Sequence, residues 1–196
     1  MITNNTYEKT STFYSYIYWE DFFSNDELKL IIEYCENKKL EEGKIADKDF
    51  VKKQRVSKIN FTKPDEENRW IFEKLNALVN MVNQKFYNFD LIGYDYFQFS
   101  TYNSKENGHY DWHIDSYIGG ENKNINGLHR KLSMTLLLND DFEGGDFEMN
   151  LASPKKIEVK KGRAIFFPSY FLHRVTPVTK GIRKSLVIWV EGPRWK

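Results

Sequence analysis

A chain of 196 residues suffices for one domain with a well-filled core and is short for two. Its 29 basic and 28 acidic residues leave a formal net charge of +1, so overall charge gives no case for a nucleic-acid or membrane-surface partner. The single cysteine, Cys35, excludes an intrachain disulfide; with no run near the ~18 apolar residues of a membrane span and no secretory signal in "MITNNTYEKTSTFYS", a soluble cytoplasmic protein is expected.

Residues 1–12 are polar and read as a frayed terminus. Ser24 followed by Glu27 makes a capping box, and Leu28, Ile31, Ile32 and Cys35 recur at helical spacing, so residues 25–37 read as an amphipathic helix. The charged stretch "KKLEEGKIADKDFVKKQR" reads as a mobile loop and "VSKINF" as a short strand. After Pro64, "DEENRWIFEKLNALVNMVNQKFYNF" reads as a second helix. Its acidic residues sit at the start, where the dipole favours them, and Trp70, Leu75, Leu78, Val79 and Val82 mark its buried side. From residue 91 the chain is strand-rich: "LIGYDYFQFSTY", "RKLSMTLLLN", "GDFEMN", "KIEVKKGRAIFFP" and "KSLVIWVE" are separated by Gly, Pro, Asn and Asp. Helices followed by many short strands argue for an α+β protein, with the helices packed against a β-sandwich or open barrel. No repeat or convincing linker divides residues 1–196, so one domain is expected.

The stretch "HYDWHID", residues 109–115, carries the first chemical signal. In a strand His113 and Asp115 face the same way and can offer a nitrogen and a carboxylate oxygen to one ion. An H-x-D pair is common, and a histidine hydrogen-bonded to an acid is the simpler reading of the pair alone. Asp111 has the same parity and competes for the carboxylate role, and His109 is a weaker alternative ligand. Simple alternation sends Tyr110 and Trp112 to the opposite face, and His129 lies in a stretch that reads as an exposed loop. His173, after the buried strand "GRAIFFPSYFLH", is the candidate third ligand. Two histidines and one carboxylate suit non-haem Fe(II) and leave octahedral positions open. Zinc with the same ligands is the competing reading, and would need a general base for hydrolysis. Ten residues after His173, Arg183 shares a strand face with Ser185, Val187 and Trp189, opposite Lys184, Leu186 and Ile188. A guanidinium on a metal-facing side calls for an anion, and fits a carboxylate in fork geometry.

Taken together, "HID" at 113–115, "GGDFEM" at 144–149 and "GRAIFFPSYFLHRVTPVTKGIRKSLVIWVEG" at 162–192 resemble the Fe(II)/2-oxoglutarate-dependent dioxygenases. The resemblance is to the prolyl 4-hydroxylase-like branch, including the PKHD-type hydroxylases, and "QRVSKINF" at 54–61 is similar in its place in the order. It implies a double-stranded β-helix (jelly roll) over residues 91–196, with N-terminal helices packed against one sheet and residues 1–90 serving as helical support and lid region. It implies Fe(II) held by His113, Asp115 and His173. The co-substrate 2-oxoglutarate would chelate the iron, with its 5-carboxylate clamped by Arg183 and its methylenes against Val175. Tyr102 matches a tyrosine that reaches the co-substrate in relatives; another such tyrosine is replaced here by Leu137, so Thr135 and Ser133 are candidate donors in its stead. O₂ is the implied co-substrate and ascorbate a candidate addition. The implied reaction hydroxylates an unactivated C–H bond, the 4-position of a prolyl residue in a protein or peptide, with succinate and CO₂ as co-products. Arg55, Trp189 and Tyr110 are candidate substrate-pocket residues, and the loop 40–55 is a candidate lid. Two other functions stay open: a small-molecule or free amino-acid hydroxylase on the same scaffold, and a non-catalytic jelly-roll module with a structural metal. A nucleic-acid dealkylase would want a basic, aromatic-lined groove, which the balanced charge disfavours.

Overall fold

The structure is a computed structural model and describes residues 14–43, 54–116 and 127–195. Strand β1 (Ile17–Trp19) leads into helix α1 (Asn25–Glu36). The Glu27 N–H donates to Ser24 Oγ at 3.2 Å and the Ser24 N–H donates to the Glu27 carboxylate at 2.7 Å, which closes the capping box. Leu28, Ile31 and Cys35 form the buried stripe, with Ile32 packed at its margin. Short strands β2 (Glu41–Glu42), β3 (Arg55–Val56) and β4 (Lys58–Thr62) follow. The centre of the loop expected to act as a lid, residues 44–53, lies outside the described residues, as do 117–126.

Helix α2 (Arg69–Val82) starts later than its acidic run suggests. Asp65 and Asn68 each accept the other's backbone N–H, at 2.9 and 2.8 Å, and close a turn that leaves the acids ahead of the helix. Its buried side is Ile71, Phe72, Leu75, Leu78, Val79 and Val82, while Trp70 is only partly covered.

The remaining strands are β5 (Phe97–Asn103), β6 (His109–His113), β7 (His129–Leu137), β8 (Phe142–Gly144), β9 (Phe147–Asn150), β10 (Pro154–Ile157), β11 (Ala164–Pro168), β12 (His173–Val175) and β13 (Val178–Gly192). The segment "KIEVKKGRAIFFP" is therefore two strands, parted by a turn at Gly162, whose φ of 79° suits glycine. The strands form two antiparallel sheets. The larger runs β1-β11-β7-β13-β5-β4-β2, with β8 paired to the start of β13, and the smaller runs β10-β9-β12-β6-β3. This is the α+β architecture of a double-stranded β-helix with N-terminal helices.

The larger sheet is buried on both faces, and residue parity sorts them. Phe97, Phe99, Leu132, Met134, Leu136, Leu186, Ile188 and Val190 share one core with the buried stripes of α1 and α2. The alternate residues face the smaller sheet, where Tyr102, Phe167 and Ile165 meet Phe147, Met149 and Val175. Helix packing thus claims one face and frees the other for the space between the sheets.

Cys35 lies at the centre of the helix-side core, fully buried, with its thiol pushed up to about 12 by desolvation and the neighbouring Glu36. The thiolate is the reactive form. Iodoacetamide at pH 8 should therefore leave the native protein unlabelled and modify it stoichiometrically in denaturant; rapid native labelling would show that α1 is not held as described.

Candidate metal centre

Strands β6 and β12 lie side by side with His113 directly opposite His173. Asp115 follows β6, and its N–H and that of Ser116 both donate to the Ser169 carbonyl, at 2.9 and 3.0 Å. His113 Nδ1 is 2.8 Å from the Asp111 carbonyl, and His173 Nδ1 is 2.9 Å from the Phe171 carbonyl. A carbonyl can only accept, so each Nδ1 carries a proton and Nε2 is the nitrogen each ring can offer to a metal. Those two Nε2 atoms lie 3.8 and 3.6 Å from the two carboxylate oxygens of Asp115. One donor atom from each of the three residues falls within 4.8 Å of the others, the spacing of a group able to hold one ion.

The surroundings keep His113 and Asp115 in their ligating forms. Desolvation, followed by the nearby His173, pushes His113 down to about 3, so its imidazole is neutral. Burial works to raise the Asp115 carboxyl, but His173, His113 and the Ser133 hydroxyl outweigh it and hold the group below its ordinary range. Ser133 Oγ donates to Asp115 Oδ2 at 2.7 Å and pairs with Ser169 Oγ at 2.9 Å. Two imidazoles and an oriented carboxylate are a donor set that non-haem Fe(II) takes, as does zinc.

Strand β6 departs from simple alternation. His113 pairs with His173 but Val175 pairs with Tyr110, so β6 spans the interval with one residue more than β12. This bulge turns Tyr110 onto the side of His113, against the expectation from parity. The two rings stack with centroids 3.5 Å apart and planes 10° apart. Asp111 is thrown outward, exposed, with Oδ1 accepting the Trp112 N–H, and takes no part in the cluster. Trp112 also lies outside, beneath the Arg174 guanidinium. His109 Nδ1 bonds the Asn107 carbonyl at 2.7 Å and is not in the cluster either. His129, expected in an exposed loop, opens β7 and is buried, because the ladder with β13 extends to it.

The triad and Arg183 line one cavity of about 420 Å³, mouth included. Arg183, Ser185, Val187 and Trp189 of β13 all border it, while Tyr102, opposite Arg183 in the ladder, and Thr135, opposite Val187, extend its wall. Val175 lines it from the smaller sheet. Arg183 is 1% exposed, and burial lowers its pKa against the opposing pull of Tyr102 and Asp146. Its Nη1 donates to Ser185 Oγ at 3.1 Å, its Nε has no partner, and among the described residues no carboxylate pairs with it. A buried guanidinium so placed has the charge and geometry to accept an anion. The stem has room only because residue 145 is glycine: at φ 62° a Cβ there would stand 2.9 Å from Arg183 Cδ and from Val178 Cγ2.

Two expected pocket residues are placed elsewhere. Ser133 faces Asp115 and is off the cavity wall, so its hydroxyl serves the carboxylate. Arg55 is buried behind Tyr110 and off the wall as well: Nε donates to Ser57 Oγ at 2.7 Å and the guanidinium lies 4.5 Å from the Tyr110 ring centroid. Gln98, Phe147 and Phe167 border the cavity without having been singled out in the sequence. Gln98 shares the parity of Tyr102 along β5 and could have been found that way; Phe147 and Phe167 carry no sequence signal that separates them from core residues.

Residues 97–191 match a family model described as the 2OG-Fe(II) oxygenase superfamily. This part of the chain belongs to that superfamily. The chain is 39% identical over 92 residues to a PKHD-type hydroxylase of Synechococcus sp. (strain CC9311), covering 45% of this chain and 39% of that one. It is 36% identical over 96 residues to a PKHD-type hydroxylase of Idiomarina loihiensis, covering 47% and 41%. The matched stretch thus spans about two fifths of these relatives' length. Among solved structures, the viral collagen prolyl hydroxylase of Paramecium bursaria Chlorella virus-1 superposes with a TM-score of 0.73 at 20% identity, over 94% of this chain and 99% of that one. A Pseudomonas putida prolyl-4-hydroxylase gives 0.71 at 20% identity, over 90% and 92%. These two likenesses establish the fold.

The buried histidine sets an acid limit. In the unfolded chain His113 takes a proton near pH 6.5, whereas in the folded, metal-free protein it stays neutral down to about pH 3. Between those values the unfolded state binds the extra proton, so acid favours unfolding. Asp115 adds a second loss lower down, as pH falls through its depressed folded pKa. The melting temperature of metal-free protein should fall from pH 6.5 to pH 4, and His113→Gln should flatten that slope. Identical slopes in the two proteins would contradict the neutral buried imidazole.

Proposed function

We infer that this oxygenase hydroxylates prolyl residues of a protein or peptide at the 4-position, with the helices and jelly roll acting as one domain. The observation that carries the reading is the pairing, across one cavity, of a His-x-Asp…His cluster with a buried arginine that lacks an acid partner. A hydrolytic zinc site has no use for that arginine; a dicarboxylate co-substrate that also ligates the metal does.

His113 Nε2, His173 Nε2 and one Asp115 oxygen would hold Fe(II), with Ser133 fixing the carboxylate. When bound, iron and 2-oxoglutarate would together supply the oxidation, with O₂ consumed, the keto acid converted to succinate and CO₂, and one oxygen atom inserted into a substrate C–H bond. Arg183 would bind the distal carboxylate, with Tyr102 and Thr135 beside it and Val175 against the methylenes. The phenylalanines 147 and 167 line the cavity and keep water from its apolar walls. Tyr110 and Trp189 line it from opposite sheets, and two such aromatic surfaces suit a flat, apolar pyrrolidine ring. The Arg130 guanidinium, 4.2 Å from the Trp189 ring centroid, braces that indole. Support for a prolyl substrate comes from the company the fold keeps, which includes a Trichoplax adhaerens prolyl hydroxylase solved with a hypoxia inducible factor oxygen degradation domain peptide fragment (TM-score 0.71, 20% identity, 90% of this chain and 83% of that one).

The test is turnover of a proline-peptide library with Fe(II), 2-oxoglutarate and O₂, read by mass spectrometry. A gain of one oxygen atom on proline is expected, with succinate formed in equal amount. Oxygen added to free proline or another small molecule, with no peptide modified, would favour the small-molecule hydroxylase instead. Anaerobic addition of 2-oxoglutarate to the Fe(II)-loaded protein should produce weak visible absorption, and its absence would remove the chelation claim.

Arg183→Ala should raise the 2-oxoglutarate requirement at least about 30-fold, the equivalent of about 2 kcal/mol for losing one side of a buried charge pair. Iron binding should change far less. Gly145→Ala should move the same requirement in the same direction, because its methyl group would displace the Arg183 stem.

A further inference from the structure

We propose that Arg55 and Tyr110 are positioning residues for the ligand His113, so that docking of strand β3 and binding of metal are thermodynamically coupled. The inference rests on the metal site above but not on the identity of the substrate.

Three flat groups stand in a row. The His113 imidazole lies parallel to the Tyr110 ring, 3.5 Å between centroids and 10° between planes. On the Tyr110 ring stands the Arg55 guanidinium, 4.5 Å from its centroid. The backbone ladder sets this order, since Arg55 pairs with Tyr110 and Val56 with His109 in the two-residue strand β3. The bulge in β6 is what brings Tyr110 and His113 onto one side.

Each layer is held from behind. Arg55 is 6% exposed, and its Nε is fixed by Ser57 Oγ at 2.7 Å. Gly43 closes over this contact: its N–H donates to the Ser57 carbonyl at 2.7 Å, and a Cβ on it would stand 2.5 Å from Ser57 Oγ and 2.8 Å from Arg55 Nε. A surface arginine would not be sealed in this manner with its Nη2 buried and without a partner. What the guanidinium gains there is the face of Tyr110, and Tyr110 in turn restricts rotation of His113 about its Cβ–Cγ bond. The single hydrogen bond at His113 Nδ1 permits that rotation over a range of angles, whereas a parallel stack does not. Groups that orient a ligand typically change metal affinity by about ten- to a hundred-fold when removed.

Coupling is reciprocal. If docked β3 orients His113 for the metal, bound metal must hold β3 in place. The wild-type protein can report this without any substitution: Mn(II) should slow amide hydrogen exchange at Val56 and Tyr110, in the β3–β6 ladder, more than at Phe99 in the distal sheet. Mn(II) binding read by electron paramagnetic resonance, without 2-oxoglutarate or substrate, tests the residues. Arg55→Met and Tyr110→Leu should each weaken Mn(II) at least about five-fold, with Tyr110→Phe, which keeps the stacked ring, within about two-fold of wild type. The Co(II)-loaded variants should show a shifted visible spectrum in the same order. Unchanged Mn(II) affinity in Arg55→Met, or equal loss in Tyr110→Phe and Tyr110→Leu, would overturn the proposal. If a variant fails to fold, exchange in the wild type decides, and equal slowing at Val56 and Phe99 would also overturn it. Failure of the wild type to bind Mn(II) at all would instead remove the metal site itself.

Discussion

A β-strand sends successive side chains to opposite faces, and in β13 that alternation divides scaffold from chemistry. Leu186, Ile188 and Val190 go to the core shared with α1 and α2. Arg183, Ser185, Val187 and Trp189 go to the cavity. A slip of one residue against β5 or β7 would put a guanidinium into the helix interface and leucine into the cavity wall beside Tyr102. Register is therefore fixed by the hydrophobic face, and the polar face inherits its precision. The two N-terminal helices contribute no metal ligand, yet their packing is what holds Arg183 opposite Tyr102.

The smaller sheet works by a different rule. It supplies His113 and His173 from neighbouring strands, and a perfect ladder would have left Tyr110 pointing away from both. The extra residue in β6 breaks the alternation once, within four residues of sequence. It places Tyr110 against the imidazole and ejects Asp111, the carboxylate that parity alone could not distinguish from Asp115. A local irregularity thus resolves an ambiguity that a regular strand would have preserved.

Period-two reading found the face of β13 because that strand is long and its apolar partners are unmistakable. The capping box of α1 was equally legible, being a contact over three residues. Where the reading failed, the cause was a long-range pairing or a local exception to it. The bulge depends on how β6 meets β12, and nothing in "HYDWHID" announces it. His129 is buried because β13 reaches it across the sheet, although its flanking sequence is that of a loop. Arg55 was expected in the substrate pocket; its burial behind the wall depends on Tyr110, more than fifty residues away, and on the small size of Gly43. Ser133 shares the parity of Thr135, but the turn after β6 brings Asp115 up to it first.

The cavity holds two buried charges that do not neutralise one another. Asp115 is an anion beside the neutral His113 imidazole, and Arg183 is a cation without an acid among the described residues. Isolated, each is costly in a desolvated setting. A divalent metal beside Asp115 and a dianion reaching from that metal to Arg183 would bring the four charges to zero. Neither addition achieves this by itself: the metal alone leaves an excess of positive charge, and the dianion alone sets its near end against Asp115. On this electrostatic argument the ion and a dicarboxylate would bind better together than either would by itself, and a ligand carrying a negative group at both ends would suit the cavity. The low-dielectric surroundings that make a lone charge unfavourable also strengthen the attraction between opposite charges once they are brought together. A preference for a ligand with two carboxylates would then follow from burial as much as from any single hydrogen bond.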